Sequence, residues 1–566
     1  MTNGNIWYIK VVTMHIDDQT YQRDGKTYRR ALLRNSYRKD GKVHHDTVAN
    51  ISKCNPDEIE VLKFALKNKK TLIDLKIPGE KVETYQGKIV GAVWPLYQLS
   101  KRLGIEKALG RCNEARLSLW MIISTVIGSV SRLSATRLAQ SHAACDILRL
   151  DGFCEDDLYG ALDWLWGNQQ NIEDRLFKDR YKSKTPNLFL YDVTSSYFEG
   201  DKNELAAYGY NRDGKKGKKQ IVIGLLTDDE GYPVSCEVFR GNTKDNQTFK
   251  NQIEKVSKRF GIKKVTFVGD RGMIKSAQIT DLAADDYYIT ALTKPQIEKL
   301  LGDEVFQMEL FDQTICEVID KEIRYVLRRN PIRVKQLRES RQKKLLAVRK
   351  LCLKKTQYLA DHPRAKVKVA KREIRQQIVK LKIDKWAKVC SKDRTLRVEI
   401  EDTQLNEAEK LDGCYAIKTN VSATDASKDT IHDRYKSLAE VEWAFRTMKT
   451  TLLHIRGIYV RKANRTKAHV FVIMLAYMIA YELRRLWQDV EVTIEEGIAE
   501  LSSLCATEVV IGNLSIHTIP IPRDNIKILM EKADITLPDA IPCSKESVFT
   551  RKKLVEERKS SVNSEY

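Results

Sequence analysis

The run 435–449, YKSLAEVEWAFRTMK, constrains the fold most, because it specifies a helix and also the side of it that must be buried. At about 100° per residue, Leu438, Val441, Phe445 and Met448 form one apolar stripe, and Glu442 and Lys449 fall inside it. Ser437 followed by Glu440 has the spacing of a capping box, which predicts a helix starting at Ser437 with Glu440 on its outer side. An ionised carboxylate on a core-facing stripe is costly unless it is paired or binds a cation. Lys449, two turns on, is the ordinary partner for Glu442. The other candidate is a metal ion held jointly with acids from elsewhere in the chain.

A chain of 566 residues can bury a large core and should divide into two to four domains. Its net charge of +22 points to a polyanionic partner, nucleic acid before acidic membrane. The longest apolar runs, 117–130 and 470–481, fall short of the roughly 20 residues that span a bilayer and read as buried helices. The start, MTNGNIWYIK, lacks a basic segment followed by an apolar run, so a cytoplasmic, nucleoid-associated protein without a membrane partner is expected. Eleven scattered cysteines include no C-x-x-C pair, which argues against a disulfide framework or a structural zinc site. His432, His454 and His469 lack a second ligand at metal spacing and read as core or surface histidines.

Six regions follow from the texture of the chain. Residues 1–90 hold a β hairpin, turning at Asp40-Gly41, and a helix unit. The helical pattern runs from about Pro56 to Arg180, and 91–185 is read as a helical domain. From Pro186 the texture changes to strands at 188–193, 221–227, 234–239 and 265–268, giving a mixed sheet in 186–300 that resumes in 411–490. Between these halves lies a basic insert, 301–410. Its 331–390 segment has twenty Lys or Arg against four Asp or Glu, so a net +16 of the chain's +22 sits there. Apolar residues at helical spacing, broken at His362-Pro363, predict a two-helix hairpin. The last region, 491–566, ends in a polar stretch from Cys543 that is expected to be disordered.

Two aspartates join Glu442. Asp192 lies in the apolar strand NLFLYDVTSSYF, and Asp270 follows the short strand of KKVTFVGDRGM, before a glycine turn. Each taken alone can be a turn acid or the partner of a neighbour such as Arg271. Together they place three acids on two strands and a helix, and oxygen-only ligands suit Mg²⁺ or Mn²⁺ better than zinc. Two such ions about 3.5–4 Å apart can clamp both oxygens of a phosphoryl displacement, but they repel each other unless anions surround them. Three carboxylates and a substrate phosphate supply close to four negative charges.

On YDVTSSYFEG, VGDRGM and YKSLAEVEWAFRTMK the chain resembles bacterial insertion-sequence transposases of the DDE class, of the insertion-sequence-four type, over roughly residues 185–485. GYNRDGKKGKKQIVIGL from Gly209 and EVFRGNTKDNQTF from Glu237 are also similar to that family. The spacing from Tyr435 through Glu442 to Lys449 matches its Y-x2-R-x3-E-x6-K signature, except that Leu438 stands where the signature has arginine. The resemblance implies an α/β fold with a ribonuclease H-like mixed sheet flanked by helices. It also implies Asp192, Asp270 and Glu442 as catalytic residues and ligands of two Mg²⁺ or Mn²⁺ ions, and a homodimer acting on double-stranded element ends and target DNA. The implied reaction is strand cleavage by water followed by strand transfer through the freed 3′-hydroxyl. Tyr435 and Lys449 would lie near the transferred strand, although a core role for Tyr435 stays open.

Further DNA contacts are expected from Arg271, from Arg333, Arg338, Arg341 and Lys344 on the basic hairpin, and from Arg461 in RGIYVRKANRTK. The loop lysines Lys215, Lys216, Lys218 and Lys219 fit either a phosphate track or a solvated turn. Two other readings share these residues: a DNA-binding regulator without catalysis, and a nuclease of the same core that does not join strands.

Overall fold

The computed structural model describes residues 13–541 and 548–550, apart from 24–25, 40–41, 68, 70–81, 129–130, 201, 263, 275, 281, 283–285, 456–457 and 512–513. Near the N-terminus, strands Thr13–Arg23, Lys26–Lys39 and Lys42–Asn50 form an antiparallel three-stranded sheet. The expected Asp40-Gly41 turn lies outside the described residues; the flanking Lys39 and Lys42 pair with each other.

The helical reading of residues 56–180 fails in one place. Val82–Ile89 is a strand, paired with Cys505–Ile511 from the other end of the chain. Beyond it the helices form as their apolar spacing predicts, chiefly α1 (Asn113–Ile127) and α2 (Glu155–Arg180).

The central sheet has eight strands: β1 (Leu188–Tyr197), β2 (Gln220–Asp228), β3 (Pro233–Arg240), β4 (Thr266–Gly269), β5 (Tyr287–Ala291), β6 (Cys316–Asp320), β7 (Ile323–Arg329) and β8 (Cys414–Thr419). Their order is β6-β7-β8-β5-β4-β1-β2-β3. β1 pairs antiparallel with β2 and parallel with β4, and β4 runs parallel to β5. The core order 3-2-1-4-5, with only the second strand reversed against its neighbours' common direction in β1, β4 and β5, is the expected ribonuclease H-like sheet. All four strands read from sequence lie in it. Helix α3 (Asp245–Glu254) follows β3.

The insert is narrower than its expected 301–410, because β6 and β7 extend the central sheet through β8. What projects is the pair α4 (Pro331–Asp361) and α5 (Val367–Lys380), followed by a hairpin of Ala387–Lys392 and Thr395–Ile400. These pieces share a small apolar core of their own around Val348, Cys352, Ile374 and Trp386.

After β8 come α6 (Lys428–Lys436), α7 (Leu438–Arg446) and α8 (Ala463–Leu486). α8 is long and apolar enough to cross a membrane, but it is buried at the centre of the largest apolar cluster. That cluster covers one face of the sheet through Leu188 and Leu190, while Phe189, Tyr191 and Val193 serve a second cluster on the opposite face. The strand's alternation therefore decides which side each residue serves. Most of the C-terminal stretch expected to be disordered, 543–547 and 551–566, lies outside the described residues.

Candidate active site

The register of β1 and β4 brings the two aspartates together. Leu190 pairs with Val268 and Tyr191 with Gly269 in parallel, so Asp192 and Asp270 are the next positions on neighbouring strands. Both follow residues of the face that packs on α7 and α8, and α7 lies across β1. Asp192, Asp270 and Glu442 line one open cleft of about 370 Å³.

Glu442 reaches that cleft by a route that corrects the sequence reading. Val441, Phe445 and Met448 are buried, but Glu442 is exposed, at the edge of the stripe. The capping box also does not form. Ser437 has helical backbone, continuing from α6, and its hydroxyl donates to the Asp433 carbonyl. α7 starts at Leu438 because two helices abut there, with no side-chain cap. Glu440 points away, as expected, and pairs with Arg484 at 3.5 Å.

Among the described residues, none of the three acids makes an ion pair. Asp192 feels the consequence. Loss of water around it pushes its carboxyl up to about 7, against the Val193 amide and the Arg212 charge, and the charges of Asp270 and Glu442 push the same way. Asp270 accepts the Arg271 backbone N–H at 2.8 Å and, more distantly, the Tyr435 hydroxyl at 3.5 Å. Burial, then Asp270, raises the Tyr435 phenol well above its ordinary value. Tyr435 is thus half-buried beside the second aspartate, whereas Arg271 is exposed.

The expected Lys449 partner is different. A π-helical turn, Thr447–Thr451, follows α7 and carries Lys449 inward, where it is buried. Its ammonium pairs with Asp213 Oδ1 at 3.1 Å, and the two side chains are 8% and 1% exposed. Asp213 Oδ2 also accepts the Tyr197 N–H at 3.1 Å, which clips the 209–219 loop to the end of β1. Lys449 therefore pairs with neither Glu442 nor open solvent.

The cleft also holds residues to which the sequence alone assigns no role. Arg212, Asp213, Asp245 and Arg446 all line the cleft. Arg212 is held by its backbone N–H on Ser195 Oγ at 3.0 Å and by its guanidinium on Asp245 Oδ2 at 2.6 Å. Gly209 and Gly241 lock the loop from behind, because a Cβ on either would run into backbone carbonyls of Gly241, Gln220 or Ala207. Glycines inside two family-like motifs were the available signal. Nothing local told that Arg212 and Asp245 meet.

Of the other expected DNA contacts, Arg333 and Arg338 are exposed on α4, Lys344 is half-buried and Arg461 is exposed before α8. Arg341 departs from the expectation. Its guanidinium is taken by Asp412 and by Glu409 at 3.1 Å, which ties α4 to the turn before β8.

As a metal site the donor set fits a hard divalent cation: acid oxygens on one open cleft, free of ion pairs among the described residues. The side chains are not drawn in around a common point. Among the described residues, no three His, Cys, Asp or Glu stand close enough to hold one ion. Ten cysteines among the described residues are free thiols, and His469 is a buried core residue.

Residues 183–479, more than half of the chain, match the family described as the transposase DDE domain. Residues 18–73 match the N-terminal domain of IS1634 family transposases. The second match corrects the insertion-sequence-four type suggested by the motifs and keeps the class. No curated protein sequence matches the chain. A similar solved structure is the cryo-EM structure of the piggyBac transposase synaptic complex with hairpin DNA. It has 8% identity and a TM-score of 0.35 and covers 78% of this chain and 75% of that one.

Proposed function

The chain belongs to the transposase DDE-domain family, and from that premise we propose that it cuts DNA at the ends of an insertion sequence and joins the freed strand to new DNA, with divalent cations. The observation that carries this reading is the meeting of Asp192, Asp270 and Glu442 on one cleft without a basic partner for any of them. Such a cluster is costly to keep unless a cation repays it.

Asp192, Asp270 and Glu442 would hold two Mg²⁺ or Mn²⁺ ions. When bound, such ions supply a water nucleophile of lowered pKa and counter-charge for the leaving 3′ oxygen. The protein's own part is placement. Adjacent parallel strands fix the two aspartates, Tyr435 lies against Asp270, and α7 brings Glu442 over β1. The exposed cations Arg271, Arg333, Arg338 and Arg461, with Lys344, would bind the phosphate backbone on either side. Lys449 and Arg341 would act there only after leaving their acidic partners. A homodimer would hold paired ends in the bacterial cytoplasm, with the N-terminal 1–180 region reading the terminal sequence.

Asp192→Ala, Asp270→Ala and Glu442→Ala should each abolish cleavage and strand transfer of end-sequence DNA while leaving DNA affinity within about threefold, since ligand loss disables the ions and not the basic surface. A gel assay with pre-cut ends separates joining from hydrolysis. Parallel loss of binding and cleavage in all three variants would assign the acids to structure instead.

A further inference from the structure

Cations bound in the cleft would offset its acids, but they would not by themselves hold a DNA strand in place across it. Its lining carries five acids, Asp192, Asp213, Asp245, Asp270 and Glu442, against three bases, Arg212, Arg446 and Lys449. A DNA strand must lie across this surface with its phosphates close to carboxylates, so fixed cations have to receive them. Lys449 is poorly suited. It is buried and bonded to Asp213, so reaching a phosphate would strand a carboxylate in the interior.

The two arginines are placed differently. Arg212 is exposed and enters from the β1 side. Its backbone sits on Ser195, the following residue is clipped to Tyr197 and Lys449, and Asp245 takes a single nitrogen of its fork at 2.6 Å. A guanidinium has five N–H donors in a plane, so that contact steers it and leaves donors for a phosphate. Arg446 is exposed and enters from the helix side as the last residue of α7. It stands one turn after Glu442, about 40° round the helix, and so shares Glu442's face. One turn before Glu442 the same face carries Leu438, packed against the core, which leaves Arg446 as the arginine this face offers the cleft.

We propose that Arg212 and Arg446 form a phosphate subsite beside the acid cluster, one guanidinium from the loop after β1 and one from the end of α7, that grips the backbone of the DNA strand being cut. The proposal rests on the transposase reading and adds to it the residues that hold the strand. Arginine suits the task because its fork binds two phosphate oxygens at once, which fixes orientation as well as charge.

The test uses the full chain and a labelled duplex carrying the sequence that flanks its coding region, with Mg²⁺, and reads kcat/KM for cleavage. Arg212→Gln and Arg446→Gln should each lower it about tenfold or more, as expected for losing a charge-assisted bidentate contact. The Lys variants should recover part of the loss. Duplexes with a single neutral methylphosphonate next to the cut then locate the contact. At the phosphate an arginine grips, the methylphosphonate should slow the wild type by a similar factor and the matching Gln variant hardly further. Variant and methylphosphonate effects that multiply at every position, or Gln variants that cleave like the wild type, overturn the proposal. Melting temperature reports folding. Should Arg212→Gln unfold the chain, Arg446→Gln and Arg212→Lys carry the same test. A wild type that cleaves nothing sinks the transposase reading itself, whereas a cleaving wild type with indifferent arginines sinks this inference alone.

Discussion

Asp192 carries opposing demands, because a strand interior wants it neutral and cation binding wants it ionised. Its carboxyl, pushed up to about 7 by loss of water and by its two acidic neighbours, stays protonated in the cation-free fold at a pH where the unfolded chain has ionised it. The folded state therefore binds the extra proton between about pH 4 and 7, and stability contributed by this group falls as pH rises through that window. Above about 7 the loss is complete. Asp192→Asn should thus melt like the wild type near pH 4 and higher than it near pH 8 when cations are chelated. Added Mg²⁺ should reverse the order at pH 8 by binding only the wild type's folded state. Differential scanning fluorimetry across pH checks both, and a variant that is less stable at every pH would assign Asp192 a hydrogen-bonded structural role. Asp192 was legible because an acid is out of place on an apolar strand, whereas Asp270 stands at an ordinary turn position and Glu442, read as core-facing, is exposed at the edge of its stripe. Arg212 and Asp245 were not legible, because each is unremarkable in its own segment and the two meet only where the 209–219 loop approaches the start of α3.

Between elements, the Lys449–Asp213 pair couples the π-turn after α7 to the loop that follows β1. A buried pair broken on one side leaves an uncompensated charge, so Lys449→Met should cost about 3 kcal/mol in urea unfolding. Lys449→Met combined with Asp213→Leu should recover much of that loss, because neither charge then remains buried. DNA affinity of the folded single variant should change little. Unchanged stability with weakened DNA binding would return Lys449 to the phosphate contact expected from its spacing. Helix periodicity placed Lys449 on the right face of α7, yet it cannot foresee a turn that takes up an extra residue and redirects the side chain. The same limit explains Val82–Ile89. The strand pairs with Cys505–Ile511, and nothing in either segment names a partner more than four hundred residues away. The β1–β4 strands were legible because their apolar runs are bounded by glycine and aspartate, a local signal that does not depend on which strand pairs with which.

At the level of the whole molecule, most of the net charge sits on a module that the catalytic sheet does not need. The segment 331–390 holds a net +16 of +22, and its helices pack on their own apolar core. The chain leaves and returns at one place: Arg329 pairs with Cys414 between β7 and β8, and the Asn330 N–H donates to the Gly413 carbonyl at 2.9 Å. Excising 331–412 and joining Asn330 to Gly413 through two glycines would turn β7 and β8 into a hairpin without touching the strands that carry Asp192 and Asp270. Leu411 would be lost from the cluster beside β7, a modest cost next to an intact eight-stranded sheet. The shortened chain should keep a cooperative melt and still bind Mn²⁺ with an affinity that Asp192→Asn abolishes. Its DNA affinity should fall, and so should the slope of log affinity against log salt, by about 0.9 for each phosphate contact removed. Fluorescence anisotropy of a labelled duplex across 50–200 mM salt, the range over which such contacts are most readily read, measures the slope. An unchanged slope would mean that the strand is held by the cleft rim and the region before α8, and that the hairpin's charge serves another polyanion. A lost melt would mean that Arg341, through Asp412 and Glu409, makes the hairpin a structural brace for the sheet as well as a basic surface.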